Sequence, residues 1–181
     1  MSDSNGQVLK PPSDSYPPRH KSVANRKNSL WGKLKLALWL SSNGLDNAHS
    51  RSRRGWTALH LAVLKGDVEI VELLLNDGAM LEAKSKDGEP VIHLAIVKGY
   101  TAMTRLLLER GADPNSKDNA GLTPLHTAIR KGHKGLVQLL LRHGSIPTIR
   151  EKFNQSPMDW AKSCGDADII ALLNDALNRM R

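Results

Sequence analysis

Three histidines, His60, His93 and His126, recur at intervals of 33 residues, and histidine is the side chain best suited to bind a metal or to transfer a proton near neutral pH. A zinc site needs ligands that converge on one point, yet no cysteine or carboxylate cluster accompanies these positions. The chain also lacks a His-Glu-x-x-His sequence, a glycine-rich phosphate loop and a nucleophile elbow. We therefore expect structural histidines, with no metal, no cofactor and no catalytic residues.

Cys164 is the only cysteine, which excludes an intramolecular disulfide and fits a reducing compartment. Because the sequence places no base near it, we interpret it as a packing residue and not as a nucleophile. The chain does not open with a basic segment followed by an apolar stretch, and no apolar run approaches the ~20 residues that span a bilayer. We expect a soluble intracellular protein that is not an enzyme, cytoplasmic and/or nuclear.

The 33-residue interval extends beyond the histidines and defines a repeating unit. It also separates Gly66, Gly99, Gly132 and Gly165, as well as Leu74, Leu107, Leu140 and Leu173. A fixed period of this length is typical of stacked repeat proteins. Small alanines share another repeat position, where a larger side chain would push neighbouring helices apart; they are Ala62, Ala95, Ala128 and Ala161. The sequence therefore predicts a solenoid.

Each unit carries the local signals of two short antiparallel helices, with apolar residues spaced at i, i+3 and i+4. Hydroxyl side chains that can cap the first helix precede it, namely Thr57, Thr123 and Ser156. Ser156 and Asp159 also have the spacing of a capping box. After the second helix, a glycine stands where a left-handed residue is needed; these are Gly78, Gly111 and Gly144.

The phrases that carry this period resemble the ankyrin family. They are Thr57-Ala58-Leu59-His60-Leu61-Ala62, Thr123-Pro124-Leu125-His126-Thr127-Ala128 and Leu106-Leu107-Leu108-Glu109-Arg110-Gly111-Ala112-Asp113-Pro114-Asn115. The resemblance implies an all-α solenoid of stacked helix-turn-helix repeats linked by β-turn fingers. We place repeats at 54–86, 87–119 and 120–152, with a C-terminal capping repeat at 153–181. In that last repeat, Asn154 replaces the glycine found at the equivalent of Gly55, Gly88 and Gly121.

One repeat departs from the capping pattern. Pro90 stands where the cap hydroxyl should be, and Val91 stands where proline should be. The loss of a side-chain cap costs about 1 kcal/mol. We therefore expect the 87–119 unit to be the weakest internal unit.

The basic charge is concentrated ahead of the repeats. Residues 1–53 contain nine Lys or Arg and three Asp or Glu, which accounts for +6 of the net charge of +8. Residues 1–28 are rich in Pro and Ser with few apolar side chains, so we predict a disordered basic tail. Residues 29–53 are interpreted as a degenerate N-terminal capping repeat with a helix at about 30–42.

The leucine-rich run from Trp31 to Leu40 allows two interpretations. It can act only as a cap that covers the exposed core of the stack. Alternatively, because its leucines and tryptophans cannot all face one neighbour, some apolar surface remains outside and can seat a partner, a second copy or a membrane interface.

Partner binding is the function that the resemblance implies, since ankyrins commonly bind through finger tips and the exposed side of the first helix. The corresponding binding positions are Arg53, Arg54, Trp56, Lys65, Lys86, Glu89, Lys98, Asn119, Leu122, Arg130, Lys131, Lys152 and Phe153. Basic residues outnumber acidic ones on this surface, and we expect Trp56, Leu122 and Phe153 to be apolar anchors.

We therefore predict a monomeric adaptor that holds an acidic or amphipathic segment of a partner protein in a basic groove. The alternative is a nucleic-acid or anionic-surface binder that uses the basic leader together with the groove. A solvated charged face that only aids solubility is the third interpretation. Ser22 and Ser29 each follow an arginine by three residues, as basophilic kinases prefer, and a phosphate there would lower the charge of the leader.

Overall fold

A computed structural model describes residues 30–52 and 55–180. Nine helices form in these residues: α1 Leu30–Ser42, α2 Ala58–Lys65, α3 Val68–Asn76, α4 Val91–Val97, α5 Thr101–Glu109, α6 Pro124–Arg130, α7 Lys134–Arg142, α8 Pro157–Cys164 and α9 Ala167–Arg179. Extended pairing in the described part is limited to isolated bridges, including Lys84 with Pro90. The predicted all-α repeat solenoid is confirmed. The predicted tail at 1–28 lies outside the described residues, as do Arg53 and Arg54.

The helices stack in two rows. The first helices α2, α4, α6 and α8 contact one another in sequence, and the second helices contact their neighbours, as α1 contacts α3. Within each unit the two helices pack together. The four alanines at the shared repeat position are fully buried, as are the four leucines of the second helices. The spacing therefore predicted which side chains lie at the helix contacts.

The predicted hydroxyl caps form at Thr57 and at Ser156. The Thr57 hydroxyl accepts from the His60 amide, and Ser156 and Asp159 complete the predicted capping box. Pro90 provides no side-chain hydrogen bond to α4, as expected. After α3, Gly78 has φ of 85°, a left-handed conformation that glycine adopts without steric cost.

In each finger, a polar side chain at one repeat position holds the turn by accepting backbone hydrogen bonds. The side chains of Ser85, Asp118 and Glu151 each accept hydrogen bonds from the backbone amides two and four residues later. These bonds satisfy amides that would otherwise be unpaired in the turn. The fingers are therefore ordered by the chain itself.

The fingers also approach one another closely. Gly88 has φ of 71°, and a Cβ there would collide with the side chain of Asn119 in the next finger. Asn154, at the same repeat position, has φ of 62° and is the non-glycine residue of the described part with positive φ. Asparagine tolerates this conformation. No later finger packs on Asn154 within the described residues, so its side chain has room.

The helix predicted at about 30–42 is α1. Its buried Leu36 and Leu40 belong to the common core. No described helix is both long enough and apolar enough to cross a membrane.

Candidate functional site

The three periodic histidines use both ring nitrogens in hydrogen bonds. His60 Nε2 donates to the Glu89 carbonyl at 3.1 Å, so its Nδ1 carries a lone pair that accepts from the Thr57 hydroxyl at 2.7 Å. The Thr57 amide also faces this Nδ1, at 3.3 Å. The imidazole thus occupies the position of Glu or Gln in a capping box. Its bond to the Glu89 carbonyl also links its own repeat to the next finger.

His126 has the same arrangement, with Thr123 at its Nδ1 and the Gln155 carbonyl at its Nε2. Burial lowers the pKa of His60, His93 and His126, because an apolar interior disfavours the imidazolium form. Neutral rings with both nitrogens engaged have no lone pair directed toward an ion. The described residues contain no group of three His, Cys, Asp or Glu side chains placed to hold a metal.

His93 differs because Pro90 offers neither a hydroxyl nor an amide hydrogen. Its Nε2 donates to the Ser116 carbonyl at 3.0 Å, and the Thr127 hydroxyl of the following repeat lies 3.3 Å from its Nδ1. His93 as a whole residue is only 2% exposed, so an unpaired ring nitrogen would be costly there. Thr127 therefore replaces, from the next repeat, the partner that Pro90 removed. The sequence analysis missed this contact.

The finger surface is the set of fingers and exposed first-helix ends that the resemblance assigned to binding. Exposed members of the predicted set are Lys65, Lys86, Lys98, Asn119, Arg130, Lys131, Lys152 and Phe153, and half-buried members are Trp56 and Glu89. Phe153 is 84% exposed, near the tip of the last finger. Lys65 contacts α1, with its Nζ 2.6 Å from Asn43 Oδ1 and 5.6 Å from the Trp39 ring centroid.

Leu122 is not an exposed anchor, which corrects the expectation made for it. The residue is only 7% exposed. The position directly precedes the cap residue Thr123, so the finger turns inward here and carries the leucine into the stack. The apolar finger residues that remain accessible are Phe153 and, in part, Trp56.

Acidic residues interrupt the basic finger surface at its centre. Partial burial raises the pKa of the Glu89 carboxyl, and the nearby charges of Asp118 and Asp87 raise it further. The guanidinium of Arg130 acts in the opposite direction and also lies 6.0 Å from the Trp160 ring centroid. The centre of the surface therefore carries charges of both signs.

A second row of cations, which we call the cation ladder, escaped the sequence analysis. Its members are Arg51, Lys84, Lys117 and Arg150, again 33 residues apart. Each of the first three donates to the backbone carbonyl of the next, over 2.9, 2.7 and 3.5 Å. Because carbonyls are neutral, these bonds order the first three side chains without cancelling their charge, whereas Arg150 forms an ion pair with Asp159 at 3.2 Å. The common interval was the signal that would have revealed them.

The exposed apolar surface that the sequence predicted for the leucine-rich run is present. α1 exposes Leu30, Trp31, Leu34 and Leu38, while Leu36 and Leu40 face the core. Beside it lies an open groove of about 610 Å³, lined by residues of α1, by the segment that follows it and by Asp77 at the end of α3. Cys164, interpreted from the sequence as a packing residue, is instead exposed, because it is the last residue of α8.

Two family models match the chain. One, described as ankyrin repeats in three copies, covers residues 27–118, just over half of the chain. The other, described as ankyrin repeats in many copies, covers residues 107–161. The first match includes α1. A search of curated proteins found no match.

Proposed function

The chain belongs to the ankyrin repeat family, and we propose that it is an adaptor whose finger surface binds an acidic or amphipathic segment of a partner protein. Ankyrin repeats are generally protein–protein interaction modules and are typically not enzymes. The partner is therefore expected to be a protein, bound by a monomer in the cytoplasm or the nucleus. The segment it recognises must be inferred from the surface itself.

Four lysines without a partner support this proposal. Lys86 and Lys152 lie in fingers, and Lys98 and Lys131 end the first helices α4 and α6. Within the described residues none of them has an ion-pair or side-chain hydrogen-bond partner. They are available to carboxylates of a partner, and such contacts speed encounter and select the partner more than they add raw affinity.

Affinity has to come from apolar contacts, and Phe153 is suited to provide them. Its ring is exposed beside Lys152, so a partner segment that combines carboxylates with apolar side chains can use both. Truncation of a buried aromatic anchor in an interface typically costs more than about 2 kcal/mol of binding free energy. Trp56, half-buried in the first finger, is the second candidate anchor.

The cation ladder favours a second candidate function, binding to nucleic acid. Arg51, Lys84 and Lys117 are ordered positive charges at a constant repeat interval and can follow a phosphate backbone, whereas Arg150 is paired with Asp159. Against it, the carboxylates Asp87, Glu89 and Asp118 lie on the finger surface and would repel phosphates. We therefore rank it below protein binding.

The test compares two charge reversals of equal size. Proteins captured by the full chain from a lysate are identified, and the partner is titrated against K98E/K131E and against the control R105E/R142E, which changes exposed arginines of the second helices. We expect K98E/K131E to slow association and the control to bind like the wild type. Melting should stay the same in both, because exposed substitutions usually change stability by no more than ~0.5 kcal/mol.

A third variant, Phe153→Ala, separates the candidate functions. An anchored protein segment should dissociate faster from it, whereas a single-stranded oligonucleotide held by phosphates should depend steeply on salt and little on Phe153. Equal loss of binding in K98E/K131E and in R105E/R142E would contradict the finger surface as the binding site.

A further inference from the structure

The exposed face of α1 is an apolar feature of the described structure that the finger surface does not explain. Its side chains are Leu30, Trp31, Leu34 and Leu38, exposed by 82%, 78%, 49% and 64%. With 3.6 residues per turn they fall on one face, which we call the apolar stripe, and it points away from Leu36 and Leu40. Single exposed apolar residues are ordinary, but four on one helix face mark an interaction surface.

Charge borders the stripe on both sides. At helical spacing Lys33 lies along one edge and Lys35 along the other, and α1 contains no acidic residue. Lys35 pairs with the exposed Glu69 of α3 at 2.5 Å. The sequence that leads directly into Leu30, residues 1–29, holds five Lys or Arg against two Asp. An apolar band between lysines, preceded by a basic segment, is complementary to a surface that is apolar inside and anionic at its boundary.

We propose that α1 lies flat in the interface of an anionic lipid bilayer, with the apolar stripe inserted at the boundary between headgroups and acyl chains. Helices that bind in this way combine Leu and Trp on one face with Lys or Arg beside it, and anionic lipids add electrostatic attraction. Trp31, at the edge of the stripe, suits the interface because its ring is apolar and its N–H is polar. Lys33 can extend its ammonium to lipid phosphates while its methylenes cover apolar surface.

A second copy of the chain fits this face less well. A symmetric dimer would set the same stripe against itself and bring the Lys33 side chains of both copies together, without a carboxylate on α1 to pair with them. Four side chains also cover little of the roughly 1,600 Å² that a standard protein interface buries.

The groove beside α1 is not the lipid contact. Asp46 and Asp77 line it together with Lys33, and their carboxylates would repel anionic headgroups. The contact is therefore confined to the apolar stripe and its lysines.

The test uses the full chain and two kinds of vesicle, phosphatidylcholine alone and phosphatidylcholine mixed with phosphatidylserine. We expect co-sedimentation with the mixed vesicles and a blue shift of tryptophan emission. The variant L34Q/L38Q should need at least about tenfold more lipid for half-maximal binding, because full burial of each leucine is worth more than a factor of ten. The control M80Q/M180Q removes two apolar side chains that are exposed elsewhere and lie outside the finger surface, and it should bind like the wild type.

The variant Trp31→Phe tests the position of α1 in the bilayer without relying on weaker binding. This variant should still sediment with the mixed vesicles but lose most of the blue shift, because Trp31 is the tryptophan in the stripe. Equal sedimentation of L34Q/L38Q and M80Q/M180Q, equal binding to both vesicles, or no binding to either would overturn the proposal. So would a dimer in solution that L34Q/L38Q dissociates while vesicles bind neither protein.

Discussion

The contact between Thr127 and His93 leads to a quantitative prediction for Thr127→Val, which removes the hydroxyl and keeps the shape of the side chain. A buried hydrogen bond contributes about 0.5–1.5 kcal/mol net, and a buried acceptor left without a partner costs about 1–3 kcal/mol. The oxygen–nitrogen distance of 3.3 Å lies at the long end of the hydrogen-bond range. We therefore expect the free energy of unfolding to fall by about 1–1.5 kcal/mol.

The decisive comparison repeats this change in a Pro90→Thr background. The new hydroxyl and amide would occupy His93 Nδ1, as Thr57 occupies the ring of His60, and the restored cap should stabilise α4 by about 1 kcal/mol. Because one lone pair cannot serve both threonines, Thr127→Val should then cost less than about 0.5 kcal/mol, and the double-mutant cycle should show coupling.

Thr104→Val is the matched control. Thr104 is also a fully buried threonine, but its hydroxyl donates to the Tyr100 carbonyl and not to His93. Valine fits there, since Val71 and Val137 occupy the same repeat position. Its effect should be equal in both backgrounds. Urea unfolding followed by circular dichroism measures all the variants, and a Thr127→Val effect that does not depend on residue 90 would refute the proposed replacement.

Three further predictions concern the stability of the stack. Despite the replacement contact, amides of residues 91–108 should exchange hydrogen faster than those of residues 124–141, because α4 still lacks its cap; equal protection would contradict this. The free energy of unfolding should fall as pH drops below about 6.5, since the buried histidines bind protons less readily folded than unfolded. The raised pKa of Glu89 opposes this trend, so a urea midpoint that rises from pH 7.5 to 5.5 would show that the histidines do not dominate. Gly88→Ala should lower the melting temperature because its Cβ would strike the next finger, whereas Asn154→Gly should leave it nearly unchanged; equal shifts would contradict the role given to finger contact.

The sequence determined the features that depend on a few consecutive residues and on the repeat interval. Helix positions, the capping box at Ser156, the missing cap at Pro90 and the small alanines all follow from local backbone chemistry and spacing. Because each unit meets its neighbours in the same way, one interval was sufficient to predict the two-row stack.

Tertiary structure decided where each side chain found its partner. The His93 ring contacts a hydroxyl in the next repeat, the cation ladder links successive fingers, and Leu122 is buried. The hydrogen bonds of His93 and of the cation ladder join residues about one repeat apart. The spacing of residues within one repeat does not specify which of several nearby groups a side chain will contact. Exposure of the apolar stripe was decided in the same way, because α1 has a neighbouring helix on only one side within the described stack.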